Sequence, residues 1–369
     1  MHLKTRALTI ATLVLAMLAA ACGGGGEGGP VRPGTESGST GGGSALQGAG
    51  ATFPYPLYSK WISEYNKKNP NLKIDYQSIG SGGGIKQITE RTVDFGASDA
   101  PMSDAQLQAV APREILHIPT VLGAVVITYN LEGVTGLKLD GPTIANIYFG
   151  KIKRWNDPAI AALNPGLALP AADIAAAHRS DGSGTTAIFV DYLAKVSPEW
   201  KAQVGVNTSV NWPSDANAFG GKGNEGVAGF VKQTPGAIGY VELIYAKQNG
   251  LPVAQIRNSS GTFVEPSLES VTAAAAGVAE TIPADLRVSV TDARGADAYP
   301  ISGFTYLLVY KDQEDAEKGK VLADFIWWAL HDGSAMASEL TYSPLPAAVL
   351  AMAEAKVKAM NHNGEPFIK

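Results

Sequence analysis

The segment His178-Arg-Ser-Asp-Gly-Ser-Gly-Thr185 concentrates groups that can hold a small anion. Arg179 offers a planar fork of N–H donors that matches an oxyanion, and the carboxylate of Asp181 lies two residues further on. The run directly precedes a predicted helix that begins near Thr186. A helix N-terminus presents unpaired N–H groups and a partial positive charge. Since the segment has no working nucleophile, it predicts capture of an anion without chemistry on it.

Three other chemistries are disfavoured by the same residue patterns. Ser183 lacks the Gly-x-Ser-x-Gly turn of a serine hydrolase, because Asp181 occupies the position two before it. The five histidines show no metal-ligand spacing. The run Gly221–Gly226 matches a dinucleotide fingerprint by letter, but it follows residues 214–219, which predict no strand. We therefore expect that run to be a loop and a helix cap.

Two further glycine-rich loops share the chemistry of the first. Gly48-Ala-Gly-Ala-Thr-Phe-Pro54 and Ile79-Gly-Ser-Gly-Gly-Gly84 each precede a predicted helix and place a hydroxyl at or near its N-cap. Their glycines allow the backbone to approach a ligand closely. One such loop is typical of any capped helix. Three in one chain, together with Arg179 and Asp99, predict a shared anion site.

These loops belong to a chain in which strand-like and helix-like segments alternate from residue 46 onward. The alternation predicts an α/β architecture with largely parallel sheets. Apolar patterns predict strands at 72–77, 95–99, 174–179, 237–243 and 300–310, and the long apolar run 115–129 has room for two. Helical spacing predicts helices at 54–67, 143–149, 186–196, 320–330 and 346–360, with a short one from residue 85.

The chain has 369 residues, 45% of them hydrophobic, and a net charge of −5, which suits two or three compact domains. Residues 1–21 have the form of a secretory signal peptide, since Lys4 and Arg6 precede an apolar run that is short for a membrane span. Its removal would leave a charge of −7. So acidic a chain is a poor partner for nucleic acid, and an anion site must rest on local dipoles and one or two cations.

Cys22 is the only cysteine, so no internal disulfide can form. It directly follows three alanines, and this arrangement resembles a bacterial lipobox, in which the thiol is lipidated and becomes the mature N-terminus. Ala19 occupies the place where such motifs usually have leucine. Residues 22–45 would then form a lipidated cysteine and a flexible tether, because the segment is rich in Gly, Ser, Thr, Pro and Glu.

Seven segments carry a specific resemblance to a known family, and this resemblance runs in order from about residue 46 to the end of the chain. They are Gly48-Ala-Gly-Ala-Thr-Phe-Pro54, Asp94-Phe-Gly-Ala-Ser-Asp-Ala-Pro101, Gly150-Lys-Ile-Lys-Arg-Trp155, Asn164-Pro-Gly166, Arg179-Ser-Asp-Gly-Ser-Gly-Thr185, Gly220-Gly-Lys-Gly-Asn224 and Pro235-Gly-Ala-Ile-Gly-Tyr-Val-Glu242. Together they closely resemble the phosphate-binding proteins of the bacterial high-affinity phosphate ABC importers. The glycine-rich tether lies outside this resemblance.

The resemblance implies a two-lobed periplasmic-binding-protein fold of type II. Each lobe would hold a mixed, mainly parallel sheet flanked by helices, and two hinge strands would cross between the lobes near Val125–Thr128 and near Tyr299–Gly303. Lobe 1 would comprise residues 46–125 and 300–369, and lobe 2 residues 126–299. The ligand would be caught in the cleft by a hinge motion.

The resemblance also implies the residues of the site, motif by motif. The implied phosphate-binding residues are Thr52, Phe53, Ser81, Asp99, Arg179, Ser183, Gly184 and Thr185. Asp181 is implied as the partner of the arginine. Residues i and i+2 of a strand share a face, which favours the same pairing if Arg179 lies at a strand end. No cofactor and no metal are implied.

Asp99 decides which anion is expected. An ionised carboxylate accepts hydrogen bonds and cannot donate, so it tolerates only an anion that brings a proton. Hydrogen phosphate carries a proton at neutral pH and sulfate does not. We therefore expect phosphate to bind, sulfate to be refused, and arsenate to be rejected only weakly.

The resemblance thus implies a monomeric, extracytoplasmic receptor, anchored to the membrane by a lipid, that delivers phosphate to the membrane subunits of an ABC permease. It implies that the protein is not an enzyme. Three alternatives stay open: a receptor for another oxyanion such as sulfate or molybdate, a secreted phosphate-ester hydrolase, and a surface adhesin or scaffold. Turnover of a chromogenic ester would identify the hydrolase, and a lack of ligand-linked stabilisation would identify the adhesin.

Overall fold

A mixed sheet runs through the protein, and its central strands are covered on both faces. The computed structural model describes residues 45–213 and 218–369. The predicted signal peptide, Cys22 and the predicted tether up to residue 44 lie outside the described residues. Ala45, assigned to the tether, is the first residue of a strand.

The described strands are β1 (Ala45–Gly50), β2 (Lys73–Ser78), β3 (Phe95–Ser98), β4 (Ile115–Tyr129), β5 (Lys138–Leu139), β6 (Ala175–Arg179), β7 (Ala218–Gly221), β8 (Ala237–Glu242), β9 (Gln255–Arg257), β10 (Phe263–Val264), β11 (Ser302–Tyr310), β12 (Asn361–His362) and β13 (Glu365–Pro366).

The described helices are α1 (Tyr55–Lys68), α2 (Ser81–Thr89), α3 (Asp104–Gln108), α4 (Gly141–Tyr148), α5 (Pro158–Leu163), α6 (Gly184–Val196), α7 (Pro198–Gln203), α8 (Gly223–Gln233), α9 (Leu243–Asn249), α10 (Leu268–Ala276), α11 (Ala316–Leu330), α12 (Ala335–Glu339) and α13 (Ala347–Lys358), with a 3₁₀ turn at Ala279–Thr281. In this described part of the chain no helix combines the length and the apolar character needed to cross a bilayer.

The main sheet has the strand order β2-β1-β3-β11-β4-β8-β6-β7. Its two ends are parallel, since β1 pairs in parallel with β2 and β3, and β6 does so with β7 and β8. The central pairs β3/β11, β11/β4 and β4/β8 are antiparallel. The predicted α/β architecture is confirmed, and the sheet is mixed.

The apolar run 115–129 forms one strand and not two. β4 pairs with β11 over Ile115–Ala124 and with β8 over Val125–Tyr129, and all fifteen of its residues are buried. A single extended segment therefore serves both halves of the sheet. The Val125 amide donates to the Ile301 carbonyl at 2.8 Å, so the chain segments at the two predicted crossings lie side by side.

The prediction that no strand precedes Gly221–Gly226 is wrong. Residues 218–221 form β7, which pairs in parallel with β6, and α8 begins at Gly223. The sequence Ala-Phe-Gly-Gly has little strand propensity of its own, so this strand depends on its neighbour. The start of α8 does not open into a nucleotide cleft, because the amide of the buried Asn224 donates to Thr52 Oγ1 at 3.3 Å.

Candidate anion-binding site

The loops that follow β1, β2, β3 and β6 meet at one place. They leave the carboxyl ends of their strands, the edge at which α/β proteins form ligand sites. The Gly82 amide donates to the Gly182 carbonyl at 2.9 Å, which joins the loops after β2 and β6. A Cβ added to Gly184, the first residue of α6, would lie 2.4 Å from Ser81 Oγ and 2.5 Å from Asp99 Oδ2. Only glycine allows the start of α6 to come this close.

Arg179 brings a fixed cation to this place from the end of β6. Its Nε donates to Asp181 Oδ1 at 2.7 Å and its Nη2 to Asp181 Oδ2 at 2.5 Å, and its side chain is almost fully buried. Burial acts to raise the pKa of Asp181, but the hydrogen bonds and charge of Arg179, with the Gly223 amide, lower it below its usual value. The guanidinium is therefore held in one orientation by a carboxylate that stays ionised.

Four buried hydroxyls lie in the same loops, and each accepts a hydrogen bond from the protein. The donors are Asn224 Nδ2 to Thr52 Oγ1 at 2.7 Å, the Asp99 amide to Ser81 Oγ at 3.1 Å, the Thr186 amide to Ser183 Oγ at 3.0 Å, and Asn224 Nδ2 to Thr185 Oγ1 at 3.2 Å. A hydroxyl can donate as well as accept. Thr52, Ser183 and Thr185 therefore each keep an O–H that can be directed at an anion. The Ser81 hydroxyl donates to Asp99 Oδ2 at 3.5 Å, a long bond that an anion oxygen can replace.

Asp99 follows β3 and is buried against the same hydroxyls. Its Oδ1 accepts from the Thr305 hydroxyl at 2.8 Å, and Ser81 Oγ lies 3.5 Å from its Oδ2. Burial raises the pKa of Asp99 to about 7, although Thr305, the charge of Arg179 and Ser81 all act to lower it. This carboxyl therefore changes its charge near neutral pH, where an ordinary aspartate is fully ionised.

Thr305 reaches Asp99 from an irregular part of β11. Thr305 pairs with Val121 and Tyr306 pairs with Pro119, so Thr120 is an extra residue on β4. Proline has no N–H for the ladder, and a bulge of this kind redirects neighbouring side chains.

A sequence profile described as the PBP superfamily domain matches residues 34–332. A protein named phosphate-binding protein PstS from Pasteurella multocida is 47% identical to this chain, over 85% of this chain and 90% of that protein. A protein of the same name from Haemophilus influenzae is 46% identical, over 85% of this chain and 93% of that protein. This chain belongs to the PstS family of the PBP superfamily. The fold of a phosphate-binding protein from Stenotrophomonas maltophilia matches this PstS-family chain with a TM-score of 0.68 at 20% identity, over 87% of this chain and 97% of that one.

The structure brings together all the residues that the sequence assigned to the site of this PstS-family protein. All eight implied phosphate-binding residues are buried and lie in the loops and helix starts that meet here: Thr52, Phe53, Ser81, Asp99, Arg179, Ser183, Gly184 and Thr185. The loop Ala51–Pro54 is held from behind, because the Tyr245 hydroxyl donates to the Thr52 carbonyl at 2.5 Å and the Tyr342 hydroxyl to the Phe53 carbonyl at 2.6 Å.

The three hydroxyls lie at or near the starts of α1, α2 and α6, but they do not all act as side-chain caps. Only Ser183 caps its helix among the three predicted hydroxyls, by accepting from the Thr186 amide, whereas α1 and α2 begin without a side-chain cap. Thr52 and Ser81 accept hydrogen bonds from Asn224 and from the Asp99 amide instead. Their oxygens serve contacts between loops and not the adjacent helix.

Two residues of the site escaped the sequence analysis. Thr305 lies inside an apolar strand pattern, where nothing distinguishes it from a packing residue. Asn224 is the last residue of the segment Gly220–Asn224. Local sequence does not show that it lies beside Thr52, which is 172 positions away in the chain. Within residues 45–213 and 218–369, no group of three or more His, Cys, Asp and Glu side chains is placed to hold a metal ion.

Proposed function

We propose that this protein is an extracytoplasmic receptor that binds inorganic phosphate and delivers it to an ABC permease. Relatives with 46–47% identity over most of the chain are named phosphate-binding proteins, which supports this function. The observation that carries the proposal is the hydrogen-bond inventory of the buried loops. Four hydroxyls and a guanidinium held by Asp181 lie in the same loops as the buried carboxylate of Asp99, which accepts from Thr305.

Hydrogen phosphate matches this inventory group by group. Its deprotonated oxygens need donors, which the four hydroxyls, the Arg179 fork and the N-termini of α1, α2 and α6 can supply. Its P–OH needs one acceptor, which an ionised Asp99 provides. The proposed phosphate contacts are Thr52, Phe53, Ser81, Asp99, Arg179, Ser183, Gly184 and Thr185, with Asp181 holding the guanidinium.

We further propose that phosphate binds between two lobes, residues 46–125 with 300–369, and residues 126–299. The change of strand partner of β4 between Ala124 and Val125 supports this boundary. The proposed contacts come from both sides of it, with Thr52 on one side and Arg179 on the other. Because these groups are buried, phosphate can enter and leave only when the lobes separate by a hinge motion.

In this proposal the protein binds phosphate without chemistry, and neither a cofactor nor a metal takes part. Among the described residues, His178 is the histidine nearest in sequence to Ser183, and its ring stacks on Trp212 with centroids 4.8 Å apart. Its Nδ1 lies 3.0 Å from the Arg179 carbonyl. Ser183 Oγ is engaged by the Thr186 amide. These contacts support binding over hydrolysis.

We propose that residues 1–21 are removed on export, that Cys22 carries a lipid, and that residues 22–44 tether a monomeric receptor to the membrane surface. The lipobox-like sequence and the composition of the tether support this anchor. Metabolic labelling with an alkynyl fatty acid tests it. Cys22→Ala should abolish the label and release the protein from the membrane fraction, and a variant that keeps its label would contradict the anchor.

Titration calorimetry of protein stripped of ligand tests the function. We expect one phosphate per chain with a dissociation constant of ~1 μM or tighter, which corresponds to about −8 kcal/mol, and no heat with sulfate. A chromogenic phosphate ester should give no turnover. Tight sulfate or molybdate binding in place of phosphate would identify a different oxyanion receptor, and turnover of the ester would identify a hydrolase.

A further inference from the structure

Asn224 connects the two sides of the proposed cleft and touches a threonine on each side. It is the second residue of α8 and is fully buried. Its Nδ2 donates to Thr52 Oγ1 at 2.7 Å and to Thr185 Oγ1 at 3.2 Å. Thr52 belongs to the proposed first lobe, whereas Thr185 and Asn224 belong to the second.

The orientation of this amide is fixed by its surroundings. Asn224 Oδ1 accepts from the Glu242 amide at 2.9 Å, and a backbone amide can only donate. The oxygen must therefore face Glu242 and the NH₂ group must face the two threonines. The backbone amide of Asn224 adds a second donor to Thr52 Oγ1, at 3.3 Å.

This arrangement determines the direction in which the two hydroxyls donate. A hydroxyl oxygen has two acceptor positions and one hydrogen. Both acceptor positions of Thr52 Oγ1 are used by Asn224, one by its backbone amide and one by its Nδ2. The acceptor positions of Thr185 Oγ1 face Asn224 Nδ2 at 3.2 Å and Arg179 Nη1 at 3.5 Å. Neither hydroxyl can donate to these partners, since all of them are donors. Each O–H is left to point into the proposed site.

We propose that Asn224 is a positioning residue that sets the polarity of the Thr52 and Thr185 hydroxyls and so makes both of them donors to the bound anion. This inference rests on the proposed phosphate-binding function. Asn224 acts through the threonines and has no contact with phosphate in this account. Because its two partners lie on opposite sides of the cleft, the full arrangement forms only when the cleft is closed. Closure and donor alignment are therefore one event.

Reversal of the amide polarity tests the inference. Asn224→Asp keeps the shape but puts a second acceptor opposite the threonines, whose hydroxyls would then turn toward it. We expect phosphate to bind at least about 100-fold more weakly at pH 8, and about 10-fold more weakly in Asn224→Ala, which removes the donor without adding a charge. Calorimetry gives the affinities, and circular dichroism of the ligand-free variants checks that they fold.

Asn258 provides a matched structural control. It is also buried, its Nδ2 donates to the carbonyls of Gly295, Ala296 and Ala298, and its Oδ1 accepts from the amides of Ser260 and Thr262. Asn258→Ala breaks a comparable set of bonds away from the proposed site. It should lower the melting temperature and leave the phosphate dissociation constant within about threefold of the wild-type value. An equal loss of affinity in this variant would overturn the assignment.

A double-mutant cycle separates positioning from packing. If Asn224 acts through the threonine hydroxyls, Asn224→Ala should cost less than about threefold in a Thr52→Val/Thr185→Val background, where there is no hydroxyl to orient. A cost in that background equal to the cost in the wild type would overturn the inference. Should Asn224→Asp fail to fold, this cycle decides alone. A stripped wild-type protein that binds no phosphate would refute the proposed function itself, which is a different result.

Discussion

Replacement of Asp99 by asparagine should open the proposed site to sulfate. In the wild-type protein, Asp99 Oδ1 accepts the Thr305 hydroxyl at 2.8 Å and Oδ2 lies toward the start of α6. Sulfate carries no proton at neutral pH, so its oxygen and Oδ2 would be two buried acceptors, both negative, with no hydrogen between them. In the Asp99→Asn variant the side-chain carbonyl oxygen can keep the Thr305 bond while the NH₂ group supplies the missing donor.

The expected magnitude follows from the cost of an unsatisfied buried charged acceptor, roughly 3 kcal/mol, which is about 150-fold in affinity. That full cost applies only where Asp99 cannot take up a proton. At pH 8, about one unit above its pKa, the wild-type carboxyl can be protonated at a cost of about 1.4 kcal/mol, so sulfate should bind Asp99→Asn about tenfold more tightly than it binds the wild type. Phosphate loses its acceptor and should weaken by about tenfold. The phosphate-to-sulfate ratio should fall by about two orders of magnitude in calorimetric titrations at pH 8.

The pH dependence supplies an internal control. Because burial raises the pKa of Asp99 to about 7, the wild-type carboxyl is neutral below that pH and can itself donate to sulfate. Wild-type affinity for sulfate should rise by about tenfold per pH unit as the pH falls from about 9 to about 7 and level off below that, whereas Asp99→Asn should show no such slope. The same shift lowers the stability of the ligand-free wild type as the pH rises from about 4 to about 7.

The result that would refute this reasoning is specific. If Asp99→Asn still refuses sulfate at pH 8 as strongly as the wild type does, selectivity does not come from this carboxylate. Phosphate binding by the same preparation shows that the site is intact. Arsenate, which has the protons and nearly the shape of phosphate, should follow phosphate in both proteins.

Two further changes test the close contacts of the site. Gly184→Ala puts a methyl group 2.4 Å from Ser81 Oγ and should weaken phosphate binding by more than about 100-fold in calorimetry. The control Gly229→Ala lies in open space on α8, so it should leave phosphate binding intact and stabilise that helix by ~1 kcal/mol. Equal phosphate affinities in the two variants would contradict the clash at Gly184. Asp181→Asn leaves the buried Arg179 without its counter-charge. Urea unfolding should show that the free energy of unfolding falls by ~3 kcal/mol without phosphate and by less when phosphate is bound. An identical fall in both conditions would refute that account.

The sequence predicts most of the site because its parts are local. The Arg179–Asp181 pair depends on a spacing of two residues at the end of β6. The glycine-rich segments Gly48–Pro54 and Ile79–Gly84 lead into α1 and α2, and α2 begins inside the second segment, at Ser81. Local spacing determines such features before the chain folds. The resemblance to a known family then implied which loops meet, which no single loop could indicate.

The remaining features depend on contacts between distant segments. Thr305 and Asn224 acquire their roles from partners 206 and 172 positions away. β7 exists because β6 offers it a pairing edge, although its own residues favour a turn. The sequence does not distinguish one long strand from two at residues 115–129 for a similar reason. Nothing in this apolar run indicates where the pairing partner changes from β11 to β8.

The continuity of β4 has a consequence for how the molecule loses its structure. One half of this strand is the antiparallel partner of β11 and the other half the partner of β8. If either the β11 side or the β8 side of the sheet unfolded, it would expose part of β4, which is fully buried and is still paired with the strand on the other side. The two regions are thus energetically interdependent, and heat should denature them in one cooperative step, even though the proposed function requires two lobes to move relative to each other.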